Sequence, residues 1–507
     1  MFEELPKPPK GWPQRQAGIS LCMIVRDEER FLEEALASVE GVVDEICIVD
    51  TGSKDGTLDI ARRAGARVRE VVWENDFSKA RNAALAMAAR RWVLVLDADE
   101  RLSPRSREFV RALGSHEAHL TGLWTRIYNF TDDYKGTGAM SNVLVRFFPN
   151  NERIRYRNPI HEFIALDGNE TGMPAQTSPI EIVHFGYRND VMVERKKHER
   201  NMQIAERALR DGPDDAVNWY NYATAAMLAE STTVAISALE RMRELARDRL
   251  RARGDDRIQS FVPNGLCLLA GLYLKNSAGI EKAIASIEEA LKYAPGLADA
   301  HFILGKCFVA QRRFAEAREA YVAAIEDGKE AHRQPLVDNE VFLWKAQSEI
   351  GSTLMEEGGY ELALKWFDLA LSVRPKVQPV RLNRARSLEQ LGRFDEAESA
   401  FVEVWKDDRD AVAANDYVNY LLRRARNEDA LDFIERETPH LPPESQLIMY
   451  GSAAAVASRS GLSGVERYLN LAWSVEGVDE PAARLHSLLR HFGDSATLAL
   501  LERKMEA

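Results

Sequence analysis

The sequence predicts a two-part chain, a Rossmann-like mixed α/β sheet domain followed by an all-α array of helical repeats, and three observations carry that expectation. Its 507 residues exceed what one hydrophobic core holds, since cores stop growing near about 250–300 residues. From Ile19 to about Tyr187, β-rich runs alternate with helical stretches; after Arg188 the β signal vanishes, and Ala, Leu, Glu and Arg recur at helical spacing. Within that second stretch one residue pattern returns at intervals of 34 residues, which marks a repeat architecture. The expected division is an N-terminal extension over 1–18, a sheet domain over 19–190 and a helical domain over 191–507, with the boundary near Asn189.

In chain order, the runs Ile19–Val25, Glu45–Val49, Val68–Trp73 and Trp92–Leu96 are almost continuously apolar, as strands of a parallel sheet covered on both faces must be. Amphipathic stretches lie between them, Glu29–Leu36 and Ala80–Met87 among them, so strand and helix alternate as in a doubly wound sheet. The runs Leu123–Phe130 and Val143–Phe148 alternate polar and apolar residues, which predicts antiparallel strands added at one edge.

In the helical part, Ala283, Ala317, Ala363 and Ala397 share one local frame, each with an apolar residue four positions on: Ile287, Tyr321, Phe367 and Phe401. Their spacings are 34, 46 and 34, and a small residue stands twelve positions before each, Gly271, Gly305, Gly351 and Ala385, where two antiparallel helices would approach closely. The pattern resembles the tetratricopeptide repeat, most clearly over Ala298–Phe308 and Phe314–Ile325, with Pro295 and Pro375 where that family places its repeat-ending proline. Weaker copies start at Trp219, with Ala223 and Ala235, and after Ala411. The longer gap implies an inserted loop near Lys329 to Asn339. Stacked repeats form a concave groove suited to peptides or helices.

Composition narrows the function. With 45% hydrophobic and 29% charged residues the chain reads as globular, and a net charge of −12 without a basic block disfavours nucleic acid as a partner. The four cysteines, Cys22, Cys47, Cys267 and Cys307, have no zinc or disulfide spacing and read as small buried hydrophobes. The acidic, proline-containing start has no signal-peptide pattern, and no apolar run approaches the roughly 20 residues of a membrane span, so the expected location is the cytoplasm. Neither a phosphate-binding G-x-x-x-x-G-K-[ST] loop nor a G-x-G-x-x-G dinucleotide fingerprint is present.

The chemistry concentrates where strands end. Val93-Leu-Val-Leu-Asp97-Ala98-Asp99-Glu100 runs from an apolar strand straight into acids, at the carboxyl edge where open α/β sheets bind ligands. Two acids one residue apart can grip a divalent cation that bridges two phosphates. Ile48-Val49-Asp50-Thr51-Gly52-Ser53-Lys54-Asp55-Gly56-Thr57 again runs from strand into acid and glycine. Asp50 there can accept hydrogen bonds from a base or ribose and the Gly-rich turn lets backbone come close to a ligand, while Lys54-Asp55-Gly56-Thr57 reads equally as simply a turn and helix start.

These segments, with Ser20-Leu-Cys-Met-Ile-Val-Arg-Asp-Glu-Glu29 and Phe77-Ser-Lys-Ala-Arg-Asn82, resemble the family 2 glycosyltransferases, which have the GT-A fold and typically invert the anomeric configuration. With trailing repeats the chain also resembles a bacterial subgroup that includes peptide S-glycosyltransferases. The resemblance implies that Val25, Asp27 and Asp50 line the base and ribose, that Arg81 lies near the diphosphate, that Asp97 faces the ribose or donor sugar, and that Asp99 ligates Mn²⁺ or Mg²⁺; Asn82 reads as a helix residue. In Asn158-Pro-Ile-His161-Glu162-Phe, Glu162 is the candidate general base, against the alternative of a surface His-Glu pair, since the family's usual base motif is Glu-Asp or a lone Asp. In Ile182-Val-His184-Phe-Gly-Tyr187, His184 is either a core histidine or a second metal ligand beside Asp99.

The expected function is therefore an inverting transfer of a hexose or N-acetylhexosamine from a nucleotide diphosphate sugar, in the UDP class, to a peptide or protein held by the repeats. Two competitors remain: assembly of cell-surface polysaccharide or lipid-linked glycan, and a non-catalytic repeat scaffold with a relic sheet domain. Self-association into a homo-oligomer is compatible with the sequence.

Overall fold

The structure, a computed structural model, describes residues 15–118, 120–129, 140–167, 172–185, 191–253, 261–275, 279–328, 336–338, 340–478, 480–491 and 495–506. It clusters into two compact units, Met1–Ala346 and Gln347–Ala507. Most of the expected N-terminal extension, and the domain boundary near residue 190, lie outside the described residues.

The first unit opens with the sheet domain. Its strands are β1 (Gln16–Val25), β2 (Glu45–Asp50), β3 (Arg67–Glu70), β4 (Arg90–Val95), β5 (Glu100–Leu102), β6 (Gly122–Asn129), β7 (Met140–Pro149), β8 (Ile154–Arg157), β9 (Phe163–Leu166) and β10 (Ala175–His184). The main sheet has the order β3-β2-β1-β4-β7-β6-β10-β5, while β8 and β9 form a separate antiparallel pair. The first four strands are parallel, and β7 enters antiparallel to both β4 and β6. The sheet is thus the mixed Rossmann-like one expected.

Four helices, α1 (Leu32–Ser38), α2 (Thr57–Arg63), α3 (Phe77–Leu85) and α4 (Arg107–Leu113), accompany these strands. Of the four apolar runs, β1, β2 and β4 bury both faces, with Leu21, Ile48, Trp92 and Leu94 in one core cluster and Cys22, Cys47, Val49 and Val93 in the other, whereas β3 is largely exposed. Asp76 caps α3, its carboxylate accepting from the Lys79 amide at 3.1 Å, which fixes where that helix starts. All four cysteines are buried and free; Cys22 and Cys47 are register partners on β1 and β2, a proximity invisible in their sequence separation.

One strand is shorter than expected. The run to Trp73 leaves the sheet after Glu70, because β3 pairs only with β2 and the last register pair is Asp50 with Glu70. Val72 is consequently 85% exposed.

The same unit continues through α5 (Val191–Asp211), α6 (Ala216–Leu228), α7 (Thr232–Arg253), α8 (Phe261–Leu274), α9 (Ile280–Tyr293), α10 (Ala298–Ala310) and α11 (Phe314–Gly328). In the expected inserted segment, the described part forms β11 (Leu336–Asp338), which pairs antiparallel with the first residues of β7. A strand lent by the repeat region to the sheet was not legible in the sequence.

From Ala346 onward all described regular elements are helical: α12 (Ala346–Glu356), α13 (Tyr360–Val373), α14 (Gln378–Gln390), α15 (Phe394–Asp408), α16 (Ala411–Arg423), α17 (Asn427–Glu437), α18 (Pro443–Ser460), α19 (Val465–Trp473), α20 (Pro481–His491) and α21 (Ser495–Glu506), with one short 3-10 turn before α18. The helices pair as the repeat predicts. Ala283, Ala317, Ala363 and Ala397 are fully buried, as are Ile287, Tyr321, Phe367 and Phe401. A Cβ on Gly305 would overlap the ring of Tyr321, and one on Gly351 would stand 2.6 Å from Phe367, so glycine permits the close approach there. Gly271 is different: a Cβ there would meet nothing within 4 Å among the described residues, so no close approach among them accounts for it. Among the described residues no helix is long and apolar enough to cross a membrane.

Candidate active site

The parallel strands β1, β2 and β4 deliver their carboxyl ends to one edge of the sheet, with Val25 beside Asp50 in register. Beyond β4 the chain turns sharply: the Glu100 amide donates to the Asp97 carbonyl at 3.0 Å, and the Asp97 amide donates to Glu100 Oε2 at 2.9 Å. This closed turn presents Asp97 and Asp99 in different directions.

Asp97 sits in a chain of alternating charges. Arg81, from α3, donates from Nη2 to Asp97 Oδ1 at 2.9 Å and from Nε to Glu162 Oε1 at 2.5 Å. Arg146, from β7, donates from a single Nη2 to Asp97 Oδ2 and to Glu100 Oε1, both at 2.9 Å. The order Glu162–Arg81–Asp97–Arg146–Glu100 is almost entirely buried; Asp97, with 30% of its side chain exposed, is the member most open to solvent. Burial disfavours its charge, yet the Arg81 and Arg146 guanidiniums hold its carboxyl far below the usual carboxylate range. Burial pushes Glu100 up, outweighing Arg146. Under Arg81 lies the ring of Tyr156, 5.4 Å from the guanidinium carbon, with a phenol that burial raises to about 12.

Asp99 faces His184. Because Glu100 on β5 is the register partner of His184 on β10, the preceding Asp99 meets the imidazole, and its Oδ2 stands 3.2 Å from His184 Nε2. The Phe185 amide donates to the Asp99 carbonyl at 2.9 Å, which pins the two segments together. On the other ring nitrogen, His184 Nδ1 lies 2.8 Å from Asn129 Oδ1. Burial opposes the imidazolium, but the bond to Asp99 raises the His184 pKa above its ordinary value.

These donors fit a divalent cation. A histidine whose Nδ1–H is held by an acceptor turns its Nε2 lone pair toward the metal, the usual outer-shell arrangement. Asp99 supplies an oxygen to the same point. Among the described residues no group of three or more His, Cys, Asp or Glu side chains is placed to hold an ion. Two protein donors suffice where phosphate oxygens and water complete the shell, as is common for Mg²⁺.

The tips of β1 and β2 are laced to each other. Asp50 is 1% exposed and accepts from the Gly52 amide at 2.9 Å, the Ser53 amide at 3.0 Å and the Ser53 hydroxyl, so its carboxylate closes the turn. Asp27, at φ +54°, accepts from the Lys54 amide at 2.7 Å, and its own amide donates to Ser53 Oγ at 3.0 Å. Val25 is buried at the end of β1. Asn82, on α3, is more than a helix residue: its amide both donates to and accepts from the Tyr156 backbone, at 3.0 and 2.8 Å, tying α3 to β8.

The structure therefore brings Asp97, Arg81 and Glu162 together in one cluster and Asp99 with His184 in a second, while Val25, Asp27 and Asp50 line the neighbouring tips. Sequence reasoning missed Arg146, Glu100 and Asn129 as site members. For Arg146 the signal was partial: a lone cation in the run Val143–Phe148, with nothing local to say which strand it would face. Two cavities lie away from the carboxylates: a groove of about 840 Å³ at Asp211–Ala216 and Leu245–Ala252, and a cleft of about 200 Å³ between α3 and β7–β8. The chemistry singles out the carboxylate edge nonetheless, because charged groups converge there.

Residues 20–171 match the family model described as Glycosyl transferase family 2, and residues 268–332 match a Tetratricopeptide repeat model. A TPR repeat-containing protein of Synechococcus elongatus is 38% identical over 206 residues, covering 39% of this chain and 50% of its own length. The SPbeta prophage-derived glycosyltransferase SunS of Bacillus subtilis is 24% identical over 199 residues, covering 39% of this chain and 46% of its own. A tetratricopeptide repeat protein from Parabacteroides merdae aligns over 54% of this chain and 97% of its own at 15% identity, with a TM-score of 0.38. The chain spans about half the length of the curated relatives it matches. The sheet part is a family 2 glycosyltransferase domain, and tetratricopeptide repeats follow it.

Proposed function

We propose that this chain is an inverting, metal-dependent glycosyltransferase that moves a sugar from a nucleotide diphosphate sugar of the UDP class to a peptide or protein acceptor. In this reading residues 19–190 form the transferase domain, residues 191–507 form the repeat domain, and the enzyme works in the cytoplasm. The observation that carries it is the pairing of Asp99 with His184 beside the buried cluster that joins Asp97, Arg81 and Glu162 at the sheet's carboxyl edge.

Asp99 and His184 would hold Mn²⁺ or Mg²⁺, and such an ion would supply positive charge against the charge that develops on the departing nucleoside diphosphate. Val25, Asp27 and the turn closed by Asp50 supply a rigid floor for base and ribose, with backbone held close to the ligand. Asp97, locked as a carboxylate between two arginines, accepts hydrogen bonds from donor hydroxyls through its exposed side. Glu162 takes the proton from the acceptor nucleophile as that nucleophile attacks the anomeric carbon from the face opposite the leaving group. Arg81 orients both carboxylates at once, so base and donor site share one support. A repeat groove suits an extended chain, which favours a peptide acceptor over a lipid-linked one.

The test is donor turnover. Purified protein with Mn²⁺ and a panel of UDP-, GDP- and dTDP-sugars is assayed for released nucleoside diphosphate, and UDP binding is measured with and without Mn²⁺. A UDP-sugar gives the fastest release, and Asp99→Ala lowers it by about 100-fold or more, the scale of losing a major electrostatic stabiliser. Equal release by wild type and Asp99→Ala refutes metal-assisted departure, and unmeasurable UDP affinity in both conditions favours the relic scaffold.

A further inference from the structure

The loop that carries Glu162 has little structure of its own. It joins the two short strands β8 and β9, and two of its five residues before Phe163, Asn158 at φ +71° and His161 at φ +50°, hold left-handed backbone. Such conformations in residues other than glycine persist where surrounding structure holds them in place. The restraints come from outside the loop. The Phe77 amide, at the start of α3, donates to the Pro159 carbonyl at 2.9 Å. From the first repeat, Asn221 Nδ2 on α6 donates to the Ile160 carbonyl at 3.4 Å. Phe77 is itself covered: the Arg200 guanidinium of α5 lies 5.2 Å above its ring.

Asn221 is 1% exposed, and its Oδ1 has no hydrogen-bond partner among the described residues. A buried amide inside a repeat helix is costly and contributes nothing to the small-and-apolar repeat pattern. Among the described residues the one bond made by the Asn221 side chain is to the Glu162 loop. Arg200 Nε is likewise buried without a hydrogen-bond partner among the described residues.

We propose that the first two helices of the repeat region belong to the active site, with Asn221 and Arg200 acting as positioning residues that hold the Asn158–Glu162 loop so that Glu162 meets Arg81. The proposal rests on the reading of Glu162 as the base. The repeats, on this account, set the geometry of proton removal at the site they adjoin.

The experiment is a double-mutant cycle in the full chain, using the best donor of the panel with Mn²⁺. Asn221→Asp keeps size but turns an acceptor-only carboxylate toward the Ile160 carbonyl; it lowers saturated turnover about 10- to 100-fold, the cost of a base misplaced by about 1 Å, while calorimetric affinity for Mn²⁺–UDP stays within about twofold. In a Glu162→Gln background the same change costs less than about twofold, because the group it positions is gone. Amide exchange of Ile160, His161 and Glu162 accelerates in Asn221→Asp. Arg200→Met gives the same pattern more weakly and Arg200→Lys restores turnover; this pair carries the test if Asn221→Asp does not fold. Effects that multiply with Glu162→Gln, or an affinity loss matching the rate loss, would show a merely structural role and overturn the proposal. If Glu162→Gln alone leaves turnover unchanged, the base reading fails, and unaltered exchange at 160–162 then sinks the clamp separately.

Discussion

Arg146 serves two carboxylates from one nitrogen, on a side chain that is 9% exposed. Taking three charges out of water is expensive, and the arrangement holds because each charge meets its opposite at 2.9 Å. Removing the central cation leaves Glu100 buried without its cation beside an Asp97 that keeps only Arg81. Arg146→Met should therefore destabilise the protein by about 3–5 kcal/mol, the range for breaking a buried pair from one side. Urea denaturation checks this, and a loss under about 1 kcal/mol would mean that water or another cation already screens the site. Asp97 and Asp99 were legible because a strand end is a local signal. Arg146 was not, since its role depends on which strand lies beside β4, and β7 arrives from about fifty residues downstream.

Two glycines in equivalent repeat positions should respond oppositely to alanine. Gly351 on α12 would place a methyl 2.6 Å from the Phe367 ring, so Gly351→Ala overpacks the helix pair and costs about 1–3 kcal/mol. Gly271 on α8 has open space where the methyl would go, and Gly271→Ala should stabilise by about 0.5–1 kcal/mol through helix propensity alone. Chemical denaturation of the two single variants decides it; destabilisation by both would show that α8 is packed more tightly than its backbone suggests. The same contrast explains what was readable in each element. Helices α8 to α15 followed from periodicity, because a helix closes its own hydrogen bonds and the repeat restates its packing every 34 residues. The short strands β5, β8 and β9, three or four residues each, were missed because they exist only through distant partners, as Glu100 does through His184. Val72 and Trp73 erred the other way: past the Val71 amide, which donates to the Asp50 carbonyl at 2.8 Å, β propensity without a partner strand gives no strand.

At the scale of the molecule, the division read from composition and the division by packing fall at different places. A change from β to α pattern occurs near residue 190, whereas the compact unit runs to Ala346. Sheet pairing gives the physical reason. β4 pairs Leu94 with Phe147, and in continuous register Asp99 would have stood opposite Asn142; the chain instead turns away at Asp97. β11 takes up that vacated lane, pairing Leu336 with Asn142, Val337 with Ser141 and Asp338 with Met140. A chain cut at 190 would leave this edge of β7 unpaired, an open template for aggregation, and would also lose the Asn221 contact to the Glu162 loop and the Arg200 contact to Phe77, whose amide holds that loop. A chain cut at 346 keeps all of them. Fragment 1–346 should accordingly stay free of aggregates and bind Mn²⁺–UDP within about threefold of the full chain, a difference under about 1 kcal/mol, while fragment 1–190 aggregates or loses donor turnover. Light scattering and nucleoside diphosphate release on the two fragments settle the matter, and equal behaviour of 1–190 and 1–346 would return the working boundary of the transferase to residue 190.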